Sequence, residues 1–80
     1  MSTTEKICDI LISTLGLGRM RLGADTPLLG SLPELDSMAV VNVLLAIEEQ
    51  FGIAVHDDEI NARHFETVGT LAGFVDSKLS

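Results

Sequence analysis

The 80-residue sequence lacks the features that support disulfide bonding, thiolate metal sites and membrane insertion. Its single cysteine, Cys8, has no second cysteine to pair with and cannot build a metal site alone. No apolar run approaches about 18 residues, so we expect no membrane insertion. Glu5, Lys6 and Asp9 interrupt the start of the chain, which therefore lacks the unbroken apolar centre of a secretory signal. We expect one domain, residues 1–80, in the cytoplasm.

Basic residues are also scarce. Five Lys and Arg residues stand against 12 Asp and Glu residues, and the formal net charge is −7. No Lys or Arg occurs between Arg21 and Arg63, although that interval contains many acidic residues. Such a surface repels nucleic acids and anionic membranes and attracts basic patches on proteins, so we expect protein partners and no nucleic-acid binding. The alternative is that the acids only keep a small apolar protein in solution.

The strongest periodicity lies in residues 34–51, ELDSMAVVNVLLAIEEQF. A second apolar row in this segment, Met38, Val41 and Leu45, cannot share the face of the main row. We therefore expect it to meet solvent or a partner. The main row has the three-and-four spacing of an amphipathic helix with one buried face, and it consists of Val40, Val43, Leu44, Ile47 and Phe51.

Asp36 and Ser37 stand where this helix should begin. Backbone N–H groups without helical partners and the positive end of the helix dipole accumulate there, so a phosphate ester on Ser37 would be well placed. The simpler interpretation is that one of the two residues is an ordinary N-cap. Ala39 and Val40 stand where a capping box would need Glu or Gln, so no capping box supports that interpretation.

The rest of the chain predicts further helices and a packed loop. Glycine and proline between residues 17 and 35 exclude a long regular element and indicate a loop. Six apolar residues indicate that this loop packs against the core: Met20, Leu22, Leu28, Leu29, Leu32 and Leu35. Residues 53–55 are an extended linker, and Phe65 is a core anchor. The first predicted helix starts at a Thr3 or Thr4 cap and runs to about Leu15. A short helix starts at Asp57 or Asp58 and runs to about Ala62, and the last helix starts after a Thr67 cap and runs to about Lys78.

These elements predict an all-α fold. With no credible sheet, they form a small four-helix bundle of three longer helices and one short helix, with the long loop between helices 1 and 2.

Three segments together resemble the acyl carrier protein family, the acyl and peptidyl carriers that bear 4′-phosphopantetheine on a serine. They are LDSM at residues 35–38, IEEQFGI at 47–53 and TVG at 67–69, and the resemblance covers nearly all of the chain. It implies a helical bundle, attachment of the group to Ser37, and a role for Asp36 as the motif acid that helps a transferase and its magnesium to engage the serine.

The resemblance also implies partners. A phosphopantetheinyl transferase would move the group from coenzyme A to Ser37, and acyl-loading and acyl-processing enzymes would use its thiol to carry thioesters. The contact strip would be Met38, Val41 and Leu45, with Glu48 and Glu49 as its charged rim. Met38 replaces the usual leucine, and Ala39 and Asn42 stand where many fatty-acid carriers are acidic. A specialised acyl pathway or a peptidyl or aminoacyl carrier therefore suits the sequence as well as fatty-acid synthesis does.

Catalysis by the chain itself has weak support. Ser37 is not in a Gly-x-Ser-x-Gly elbow, and His56 and His64 have no evident orienting partner. Glu48 and Glu49 diverge by about 100° on a helix and cannot flank a substrate. The acids at 57–59 lack calcium-loop spacing, so we expect no metal site. We expect a non-catalytic monomer, and a helical interaction module without a prosthetic group stays open as an alternative.

Overall fold

The structure, a computed structural model, describes residues 2–18, 21–30, 35–56 and 58–79. Its helices are α1 (Thr3–Leu15), α2 (Ser37–Phe51), a short 3₁₀ helix, η1 (Ala62–Phe65), and α3 (Val68–Leu79). The predicted bundle of three longer helices and one short helix is confirmed. Within the described ranges the β-type pairing is an isolated antiparallel bridge between Pro27 and Thr67. No helix there is both long and apolar enough to cross a bilayer.

Helix α1 begins one residue earlier than a threonine cap would allow. Ser2 is the N-cap: its hydroxyl accepts a hydrogen bond from the Glu5 N–H (3.2 Å), and the Glu5 carboxylate accepts one from the Ser2 N–H (3.3 Å). The predicted Thr3 or Thr4 cap is therefore wrong. A cap at either threonine would find no acidic residue three positions on, whereas Ser2 and Glu5 satisfy two backbone donors reciprocally.

The core is built from one face of each long helix. Helix α1 packs against α2 and α3, and η1 packs against α3. Phe65, predicted as a core anchor, is 3% exposed. In the main apolar row of α2, Val43 and Ile47 are fully buried, and the other three residues are partly buried. The buried apolar side chains of the helices are Ile7, Ile10, Leu11, Val43, Ile47, Phe65, Val68, Leu71, Ala72 and Val75.

The loop between α1 and α2 packs as predicted, with one exception. Leu28 and Leu35 are buried in the core, but Leu29 is 44% exposed. Successive side chains of an extended segment point to opposite sides, so burying Leu28 turns Leu29 outward. The predictions for Met20 and Leu32 fall outside the described residues.

Backbone hydrogen bonds fasten residues 24–29 of this loop to residues 65–69, and we call this set the loop ladder. Two of its donors belong to the first turn of α3, where N–H groups have no partner within the helix. The Gly69 N–H bonds the Ala24 carbonyl so closely that a Cβ on Gly69 would lie 2.9 Å from that oxygen. The four bonds are Leu28 N–H to Glu66 O (3.0 Å), Leu29 N–H to Phe65 O (2.9 Å), Val68 N–H to Thr26 O (3.0 Å) and Gly69 N–H to Ala24 O (2.8 Å).

The short helix lies further along the chain than the acidic residues suggested. It was predicted from Asp57 or Asp58 to Ala62, but it spans Ala62–Phe65. Glu59 instead closes a turn: its N–H bonds the His56 carbonyl, and its carboxylate accepts the His56 N–H, both at 2.9 Å. The carboxylate contact resembles the one between Ser2 and Glu5 at the start of α1, but here no helix follows among the described residues before Asn61. Asp57 lies outside the described residues.

Asn61 caps the short helix η1. Its side-chain Oδ1 accepts a hydrogen bond from the Arg63 N–H (2.9 Å), and its own N–H donates to Nδ1 of His64 (3.1 Å). The His64 ring also lies against Phe74, with ring centroids 4.6 Å apart. The expectation that His64 lacks an orienting partner is therefore wrong, and the partner it has is structural.

Candidate functional site

At the start of α2, Asp36 caps the helix and Ser37 presents an exposed side chain. Asp36 is the N-cap, and its Oδ1 accepts a hydrogen bond from the Ala39 N–H at 2.8 Å. Ser37 is the first helical residue, and its side chain is exposed. Because Asp36 performs the capping, the Ser37 hydroxyl is not needed for it. The capping interpretation and the displayed-serine interpretation are therefore compatible.

A surface pocket of about 330 Å³ opens beside Ser37, and we call it the Ser37 groove. It lies where the loop, α2 and η1 meet, and most of its lining is apolar. Ser37 and Asn61 supply its polar side chains. The apolar lining residues are Leu29, Val40, Ile60, Ala62 and Phe65.

The predicted contact strip lies on the opposite side of α2 from the core. Met38, Val41 and Leu45 are 69%, 49% and 58% exposed, large fractions for apolar side chains. Glu49 is exposed as well, one turn beyond Leu45. Glu48 is half-buried, and its Oε2 accepts a hydrogen bond from the Val55 N–H at 2.9 Å. Glu48 therefore anchors the segment that follows α2, a role that the sequence did not reveal.

Other titratable side chains are engaged in structure. Cys8 is half-buried, and its thiol donates to the Leu22 carbonyl. Burial first, and then the nearby Asp9 and Glu5 carboxylates, raise the pKa of the Cys8 thiol, which suppresses its nucleophilic form. Across the part of the chain that the structure describes, no three His, Cys, Asp or Glu side chains form a group that could hold a metal ion.

Of the residues that line the groove, only Ser37 was predicted as a site residue, and Leu29 and Asn61 show why the groove itself was not predicted. Leu29 looked like another core leucine, and nothing in its local sequence distinguishes it from Leu28. Asn61 carried a usable signal, because asparagine is among the best N-cap residues and it stands directly before the short helix. The prediction instead placed the helix start at the acidic residues upstream, Asp57 or Asp58.

The family model described as the phosphopantetheine attachment site matches residues 5–75. Among curated proteins, the chloroplastic acyl carrier protein 2 of Hordeum vulgare is 38% identical over 79 residues, covering 94% of this chain and 56% of that protein. The chain thus spans little more than half of that relative's length. The acyl carrier protein of Bdellovibrio bacteriovorus is 27% identical over 78 residues, covering 98% of this chain and 96% of that protein.

Two solved structures share the fold over nearly the whole chain. The solution NMR structure of a holo acyl carrier protein from Nitrosomonas europaea is 53% identical, covers 99% of this chain and 98% of that one, and has a TM-score of 0.90. That of a holo acyl carrier protein from Geobacter metallireducens is 24% identical, with coverages of 99% and 87% and a TM-score of 0.79. At that identity the second likeness concerns the fold alone.

The residues at the start of α2 fit a phosphopantetheine group. The Ser37 hydroxyl is exposed and can form a phosphate ester. The N–H groups of Ser37 and Met38 lie in the first turn of α2, where they have no helical acceptor and can face a phosphate. The groove beside Ser37 offers apolar surface to the group's methyl and methylene carbons. With the family-model match over most of its length, the chain belongs to the acyl carrier protein family, whose prosthetic group is phosphopantetheine.

Proposed function

We propose that this chain carries acyl groups as thioesters on 4′-phosphopantetheine attached to Ser37, in fatty-acid or specialised acyl biosynthesis. The observation that supports this most is the exposed Ser37 side chain at the first position of α2, relieved of capping by Asp36. When bound, the prosthetic group supplies a thiol that forms the thioester. The chain itself supplies the attachment oxygen, the helix start that holds it and the surface around it.

The attachment step asks little chemistry of the chain. The Ser37 Oγ forms a bond to the phosphorus of coenzyme A's phosphopantetheine. The P–O bond of the pyrophosphate bridge breaks, adenosine 3′,5′-bisphosphate leaves, and the hydroxyl proton passes to the transferase. Among the described residues that line the groove there is no histidine, and we propose that the transferase supplies the base. Asp36 fixes the helix start through Oδ1, and we propose that its carboxylate also meets the transferase and its magnesium.

We propose that the transferase and the acyl-loading and acyl-processing enzymes contact Met38, Val41 and Leu45. An exposed apolar strip with acidic edges suits a partner that has an apolar patch flanked by Arg and Lys. Glu49 forms the exposed edge, and Glu48 adds charge while it holds the Val55 N–H. That the chain is a non-catalytic monomer acting in the cytoplasm stays a prediction.

Intact-mass analysis tests the attachment. Incubation of the unmodified protein with coenzyme A and a promiscuous phosphopantetheinyl transferase should add the mass of one phosphopantetheine. Ser37→Ala should abolish the addition, and the matched control Ser77→Ala, at another exposed serine, should leave it unchanged. A wild-type protein that gains no mass, or a Ser37→Ala protein that still gains it, contradicts the proposal.

The cargo calls for a separate measurement, because the exposed Asn42 and the partly buried Ala39 leave this part of α2 without the acids of many fatty-acid carriers. A peptidyl or aminoacyl carrier is therefore a second candidate. Mass analysis of the protein purified from its native host, with the thioester intact, distinguishes the two. An acyl mass supports the first candidate, and an aminoacyl mass supports the second.

A further inference from the structure

We propose that the Asn61 side-chain amide donates a hydrogen bond to an amide carbonyl of the phosphopantetheine arm and holds the first part of the arm in the Ser37 groove. This inference rests on the proposed attachment at Ser37. It assigns a binding role to the N-cap residue of η1, an element outside the attachment motif.

The position of Asn61 carries the first step. Asn61 and Ser37 line the same groove, so an arm that starts at Ser37 reaches the surface that contains Asn61. The other lining residues are apolar and come from the loop, α2 and η1. A covalent anchor at the groove raises the effective concentration of the arm there, so that a weak contact is enough to hold it.

The orientation of the amide carries the second step. Oδ1 of Asn61 accepts the Arg63 N–H at 2.9 Å, which identifies the other terminus as the NH₂ group. The Asn61 backbone N–H is taken by Nδ1 of His64. Helix η1 thus uses the acceptor and the backbone donor of Asn61, and its cap fixes the side chain, while both N–H bonds of the amide are left for a ligand or water. A donor fixed in this way loses little conformational entropy on binding.

The chemistry of the arm carries the third step. The arm contains two secondary amides separated by methylene groups, and a hydroxyl-bearing carbon and a dimethyl-substituted carbon lie between the first amide and the phosphate. The carbons suit lining residues such as Val40 and Phe65, but a carbonyl that leaves water for an apolar groove needs a hydrogen-bond donor. Ser37 loses its hydroxyl proton when it is esterified. Asn61 is then the lining residue whose side chain can donate.

Side-chain amide NMR signals test the inference without any substitution. The chain has three carboxamides, Asn42, Gln50 and Asn61, so a ¹⁵N–¹H spectrum contains three NH₂ pairs. On conversion of the unmodified protein to the modified one, the Asn61 pair should shift and exchange more slowly with water. The pairs of Asn42 and Gln50, which do not line the groove, should stay in place.

A pair of variants shows whether the amide holds the arm. Asn61→Asp keeps a side-chain oxygen to cap η1 but replaces the NH₂ donor with an acceptor. In the modified protein it should abolish nuclear Overhauser contacts between the arm and Phe65 or Val40. Asn42→Asp, the matched control on the exposed side of α2, introduces the same charge and should preserve them.

The outcomes separate the two proposals. A chain that gains no mass at Ser37 overturns the proposed function and the inference with it. A chain that is fully modified, yet whose Asn61 NH₂ pair does not move, overturns the inference alone. Arm contacts that persist in Asn61→Asp also overturn it. If that variant does not fold, the NH₂ shift in the wild-type protein still decides the matter.

Discussion

Two substitutions at Asp36 separate its capping role from its charge. Asp36→Ala removes the hydrogen bond to the Ala39 N–H and should reduce the free energy of unfolding by about 1 kcal/mol, within the 0.5–2 range for lost caps. In a domain of this size that corresponds to a fall of about 4–8 °C in melting temperature. Asp36→Asn keeps an acceptor of equal capping strength. It loses the carboxylate's favourable interaction with the helix dipole, worth about 0.3–1 kcal/mol. This loss is partly offset because the substitution removes one negative charge from a chain whose net charge is −7, which reduces its electrostatic self-repulsion.

Unfolding followed by circular dichroism and mass-resolved modification rates should be measured on the same three proteins. We expect Asp36→Asn to be nearly as stable as the wild type, yet to be modified much more slowly by the transferase. If Asp36→Asn is as unstable as Asp36→Ala, the capping geometry at α2 is not as described. If it is stable and is modified at the wild-type rate, the carboxylate has no part in recognition by the transferase.

Two further predictions concern stability. Gly69→Ala should reduce the free energy of unfolding by about 1–3 kcal/mol, because the new Cβ would lie 2.9 Å from the Ala24 carbonyl oxygen. Gly73→Ala, the control with open space around the new Cβ, should instead stabilise α3 by about 0.5–1 kcal/mol. Equal effects of the two substitutions would contradict the close approach at Gly69. Hydrogen bonds from Lys78 and then from the His56 N–H lower the pKa of Glu59 in the folded protein. The stability that Glu59 contributes is therefore present above its pKa in the unfolded chain, about 4.3, and is lost as the pH falls through the lower pKa of the folded state. Lys78→Met should flatten this acid dependence in unfolding free energies measured across that window, and an unchanged dependence would exclude the ion pair as its source.

The helices were predictable because their signals are local. Periodicity located the buried faces of α1, α2 and α3, and glycine at position 52, with φ of 67°, ends α2 as expected. Asp36 and Ser37 stood out for the same reason, since a helix start is encoded by adjacent residues. At the start of α1 the error was small, because several hydroxyl side chains there compete to cap it.

The groove was not predictable in the same way. It forms where Leu29, Val40 and Asn61 meet, and these residues are far apart in the sequence. Leu29 faces outward only because the loop ladder fixes the backbone of its segment against residues 65–69. Such a pairing depends on the tertiary fold and leaves no periodic pattern. The shift of η1 has a local cause: the turn at His56 and Glu59 does not continue as a helix, and Asn61 caps the helix that follows.

The loop ladder has a consequence for protein engineering. Residues 24–29 and 65–69 are bonded backbone to backbone, so each segment serves as a template for the other. A chimera can take residues 24–29 from another carrier and keep the native residues 65–69. Its two segments would then not be matched to each other for the four backbone hydrogen bonds. Grafts that transplant both segments as one unit should preserve the display of Ser37, and single-segment grafts should not.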